Sequence, residues 1–156
     1  MSENGDELSG KTTRGLTLIL GGIAALGAAG IDMYLPSLPT IEMELAGEPG
    51  ASQLTLSAFF VGLAVGQLIY GPASDVLGRR NVLIWGIILY CLGGLACVFV
   101  ETIEQLIFAR LIQALGAAVG GVIARAIIRD LFSLDKAAQA QSFINLAFSI
   151  TPLLAP

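Results

Sequence analysis

The sequence predicts an all-α fold, a polytopic transmembrane helix bundle of about five helices, and three observations lead there. The 156-residue chain is 55% hydrophobic and only 13% charged, against about 25% charged residues in an ordinary soluble domain, and its mean hydropathy is +0.81. Its charges cluster, leaving uncharged runs over 15–31, 49–74, 81–100 and 137–156, with a fifth over 111–124 bounded by arginines. Basic residues, finally, occupy only alternate connections between these runs. A helix rises about 1.5 Å per residue and the hydrocarbon core is about 30 Å thick, so each long run can cross once.

Taken in order, residues 1–14 form an N-terminal tail and the crossings fall at about 15–37, 52–72, 81–100, 105–128 and 138–156. The first run follows Lys11 and Arg14 but is too long for a signal-peptide core and leads into no soluble domain, so it is a helix that stays. The third run holds both cysteines, Cys91 and Cys97, six positions apart and on different helix faces, which suits packing rather than a disulfide or a metal site. With no histidine and no phosphate-binding glycine loop, nothing supports metal or nucleotide chemistry, and no cofactor is expected. Gly62 and Gly66, and Gly116 and Gly120, are small residues four apart that allow close helix packing.

Charge asymmetry orients the bundle. Lys11, Arg14, Arg79, Arg80, Arg129 and Lys136 flank the runs on one side, whereas the connections 38–51 and 101–104 carry Glu42, Glu44, Glu48, Glu101 and Glu104 and no base. The positive-inside rule then puts the N-terminus in the cytoplasm and the glutamate loops outside. The acidic balance, a net charge of −4, argues against a nucleic-acid partner.

Two charges sit where a bilayer would exclude them. An ionisable group inside a spanning helix costs at least about 2.5 kcal/mol on insertion scales and marks a functional site by default. Asp32 lies about six residues before the outer end of the first helix, and Arg110 about six residues past Glu104 in the fourth, so their depths match and an acid–base pair is expected. Gln113, nearly one turn beyond Arg110, shares its face and can hydrogen-bond a ligand. Pro36 lacks the N–H that would bond the Asp32 carbonyl, and Pro39 leaves that of Leu35 without its donor, so the helix is weakened around the acid. Arg125, near the inner end of the fourth helix, reads as a snorkelling base.

The turn between the second and third helices, GPASDVLGRRNVL over 71–83, carries the most specific pattern. Glycine permits a tight reversal, and Asp75 lies four residues before Arg79, within ion-pair reach if the segment is helical. The spacing resembles the signature loop of the major facilitator superfamily, G-x-L-A-D-x-x-G-R-K/R-K/R, with Gly71, Asp75, Gly78, Arg79 and Arg80 in register. Ala73, Ser74, Val76 and Asn81 depart from it and thin out the charge. The resemblance implies a gating loop that latches one six-helix half against the other on the cytoplasmic side.

IDMYLPSLPTI is similar to the first-helix motif of the bicyclomycin-resistance (Bcr/CflA) type of drug:proton antiporters, and ARLIQALGAA to their fourth-helix R-x-x-Q-G-x-G pattern, with Ala114 replacing the first glycine. This implies a multi-pass carrier of the cell inner membrane that exchanges protons for drugs or other small hydrophobic compounds. Asp32 and Arg110 are then its proton-coupling and substrate-cavity residues, with Gln113 beside them. SITPLLAP resembles the start of the fifth-helix antiporter motif, with Pro152 and Pro156 as helix breakers. The expectation is therefore an N-terminal fragment with four complete helices and an incomplete fifth, whose partner is the missing C-terminal half. The alternatives are a proton-coupled metabolite transporter of the same superfamily and a non-transporting truncated membrane interaction protein. No nucleophile–base constellation supports an enzyme.

Overall fold

A computed structural model describes residues 3–45, 50–131 and 142, and among these every regular element is helical. Helix α1 spans Glu3–Asp32, a 3₁₀ turn Leu35–Ser37, α2 Leu38–Glu44, α3 Ala51–Leu77, α4 Arg79–Ala96 and α5 Ile103–Leu131. The segment read as a tail continues α1 from Glu3. The expected crossing at 138–156, with Pro152 and Pro156, lies outside the described residues. Three stretches, Leu18–Glu44, Ala51–Leu77 and Ile103–Asp130, are long and apolar enough to cross a membrane. With 18 residues and an opening turn of Arg79, Arg80 and Asn81, α4 is shorter, about 27 Å.

The first crossing ends at Asp32 rather than at 37, and the prolines explain the break. Without an N–H on Pro36 the ladder cannot continue, and the backbone tightens: Tyr34 N–H bonds the Ile31 carbonyl at 3.1 Å instead of that of Gly30. Pro36 and Pro39 each fall in the opening positions of the element that follows, the 3₁₀ turn and α2, where a missing N–H costs nothing. In the second crossing the structure corrects the expected end. Helix α3 runs through Pro72 to Leu77, because Pro72 is exposed and a ring at helical φ removes only one backbone bond. The reversal into α4 is a single residue, Gly78, at φ 84°, ψ 143°, a region that side chains avoid.

Helix α5 is the axis of the bundle, with α1, α3 and α4 packed around it. Its most apolar window is 56% buried, against 17% and 22% for the other two spans. Alanines and glycines on α5 let the neighbours approach, and the outward faces stay apolar: Phe60, Leu68, Ile69, Trp85 and Leu92 are all exposed, as suits a surface that meets lipid.

One glutamate of the acidic connection has a structural task. Glu42 on α2 accepts hydrogen bonds from Gly50 N–H at 2.6 Å and Ser52 Oγ at 2.5 Å, so it caps the start of α3, where Gly50 turns at φ 88°. The carboxylate satisfies the Gly50 amide and the Ser52 hydroxyl, and its charge lies at the positive end of the α3 dipole. Glu42→Ala is expected to speed amide hydrogen exchange over the first turn of α3 while leaving exchange in α5 unchanged.

Candidate functional site

Of the charged side chains described, Arg110 alone is buried, at 4% exposure. Helix α5 carries it inward beside Ala109 and Ala114. Its Nη2 donates to the Gly30 carbonyl at 2.7 Å and its Nη1 to Gln113 Oε1 at 2.8 Å. The proline break makes the first bond available: Tyr34 would be the i+4 donor to Gly30, and it bonds Ile31 instead. The guanidinium faces two rings, Tyr34 with its centroid at 4.0 Å and Phe59 at 4.3 Å, each within cation–π range. Its buried Nε–H has no partner among the described residues.

The expected acid–base pair is not made. Among the described residues no cation lies within ion-pair distance of Asp32, and the ion pairs present belong to Arg79. Depth was a one-dimensional argument, and rotation about the helix axis defeats it. A side chain at Gly30 would point at Phe59, 3.0 Å away, and at the Tyr90 hydroxyl, 3.8 Å away. Asp32, two residues on, is turned by about 200° from that direction. Asp32 is partly buried on the last turn of α1.

Gln113 does meet Arg110, as shared face and spacing require. Tyr34, Phe59 and Thr55 were missed. Tyr34 stands inside the proline motif, and its distance of four from Gly30 is the one signal that could have found it. Thr55 pairs through its hydroxyl with Tyr34 at 2.6 Å, and an isolated threonine in an apolar run announces no partner.

At the opposite end of the bundle, Arg79 joins three groups. It pairs with Asp75 across the Gly78 break at 2.9 Å, with Asp130 at the end of α5 at 3.2 Å, and with Ser74 Oγ at 2.5 Å. Ser74, a departure from the signature pattern, is buried and bonds back to the Gly71 carbonyl at 2.8 Å. Arg80 is exposed, and Arg125 likewise. The side chains of Asp75 and Asp130 are 64% and 47% exposed, so solvent screens both pairs and each contributes at most about 1 kcal/mol. Arg79→Ala should therefore lower the unfolding temperature in detergent only slightly.

Apolar helices stacked on a small-residue axis around the buried Arg110 define a multi-pass membrane protein with an ionisable centre. The Major Facilitator Superfamily model matches residues 19–156, and the chain belongs to that family. It is 40% identical over 148 residues to YdgK of Bacillus subtilis, an uncharacterized MFS-type transporter, covering 95% of this chain and 37% of that protein. It is 36% identical to a bicyclomycin resistance protein homolog of Haemophilus influenzae (94% of this chain, 37% of the relative) and to multidrug resistance protein D of Escherichia coli (90% and 36%). The chain thus spans little more than a third of the length of these relatives.

Proposed function

We propose that the protein acts, as part of a complete twelve-helix carrier, in proton-coupled export of drugs or other small hydrophobic compounds across the cell inner membrane, with its N-terminus in the cytoplasm. The observation that carries this reading is the buried guanidinium of Arg110. A permanent cation with an unpaired Nε–H, held between two rings inside apolar helices, is costly unless a binding event uses it. The bicyclomycin- and multidrug-resistance names of the relatives support the substrate class.

In this mechanism Arg110 and Gln113 line the substrate cavity, and Asp32, on the partly buried last turn of α1, takes up and releases the proton as access alternates. The Arg79 node, with Asp75 and Asp130, serves the loop at the cytoplasmic end. The missing half supplies the remainder of the cavity.

Asp32→Asn in the full-length carrier tests the proton role. Substrate-driven proton flux in vesicles should collapse while expression and membrane insertion persist. Unchanged coupling would move Asp32 to a purely structural role.

A further inference from the structure

The two rings that enclose Arg110 are held differently. Phe59 is a wholly buried residue of α3. Tyr34 stands in the short turn between α1 and the 3₁₀ segment, outside any continuous helical ladder. What secures its ring is the hydroxyl contact with Thr55 Oγ1 at 2.6 Å. The direction of that bond can be assigned. Thr55 has a single hydroxyl proton, which it gives to the Ser52 carbonyl, so the Tyr34 hydroxyl must be the donor and Thr55 the acceptor. The acceptor is well anchored: Thr55 is fully buried, and the helix end that carries it is capped through Ser52 and Gly50 by Glu42.

We propose that Tyr34 is a positioning residue for Arg110, a lid whose bond to Thr55 keeps the phenol ring over the guanidinium. Release of that bond uncovers the cation, including the Nε–H that has no partner, to an incoming hydrogen-bond acceptor. The inference rests on the reading of Arg110 as the cavity cation, but it concerns access to that group and can be measured without transport.

The test is the rate at which phenylglyoxal, an arginine-selective dicarbonyl, modifies Arg110 in the full chain in detergent micelles, followed by peptide mass spectrometry. Exposed Arg80, Arg125 and Arg129 serve as internal references. Tyr34→Phe keeps the ring and removes the donor; Thr55→Val keeps the shape and removes the acceptor. Each should raise the rate at Arg110 by about 3- to 10-fold, the range that one intramolecular hydrogen bond supports. Thr55→Ser should restore the original rate, and the double variant should react no faster than either single one. An unchanged rate in Tyr34→Phe, additive single effects, or an equal rise in Cys97 alkylation, which signals general loosening, would each overturn the proposal. Failure of the transport reading is separately visible: a full-length Arg110→Met carrier that retained efflux would remove Arg110 from the cavity, whereas the modification rates of the Tyr34 and Thr55 variants would stand as measured.

Discussion

On the proposed export function, Arg110→Met in the full-length carrier is expected to reduce substrate efflux to the level of empty vesicles while leaving the fold as stable as before, or more so. Two opposed terms set the stability of this variant. Burial of an ion without a countercharge costs several kcal/mol, and replacing it with an apolar chain of similar length returns that cost. Against this, the Gly30 carbonyl loses the donor now 2.7 Å away, a penalty of about 1–3 kcal/mol for a buried group left unpaired, and the Tyr34 and Phe59 rings lose their cation. The terms are of similar size, so the unfolding temperature should stay close to that of the unaltered protein. Transport has no such compensation. Arg110→Lys is also expected to fail, because a compact ammonium lacks the planar fork that faces two rings while donating to both Gly30 and Gln113. A carrier with methionine at this position that retained efflux would remove Arg110 from the cavity. A steep loss of stability would make it structural instead.

The largest effect on stability is expected from Gly116→Ala and Gly120→Ala. A Cβ on Gly116 would lie 2.2 Å from the backbone nitrogen of Tyr90 and 2.7 Å from the Gly86 carbonyl oxygen; one on Gly120 would lie 2.2 Å from the carbonyl oxygen of Ile23. Backbone atoms cannot rotate away as a side chain can. Helix α4 or α1 would have to retreat from α5 by roughly 1 Å, at a cost of about 1–3 kcal/mol or more for each overpacked site. Gly22 on α1 is the control, since a Cβ there meets nothing within 4 Å. Gly22→Ala should be neutral or stabilising by up to about 1 kcal/mol, through reduced backbone entropy alone. Thermal unfolding of the three variants in the same detergent checks the ordering.

These contacts show how differently the levels of structure are written in the chain. The helices were legible because the bilayer imposes a length on every uncharged run, and Pro36 and Pro39 marked the weakened stretch around Asp32 because a missing N–H acts locally, although the helix end at Asp32 itself was not legible. The Asp75–Arg79 pair was legible too, since both ends lie in one short segment. Asp130 as a second partner of Arg79 was not, being 51 positions away. The same holds for the site. Gln113 shares a face with Arg110 and follows from helical period, whereas Phe59, Thr55 and the Gly30 carbonyl come from other helices.

The sequence by itself determined that the apolar runs within the described residues are helical, their order, the alternation of basic and acidic connections, and the presence of a charge that lipid would reject, all of which depend on neighbours along the chain. Only the tertiary structure decided where that charge goes: to a carbonyl and two rings rather than to Asp32. Hydropathy sets the depth of a residue but not its rotation about the helix axis. That rotation is chosen by the close approach of α1, α3 and α4 to the small residues of α5, a property of surfaces meeting in space.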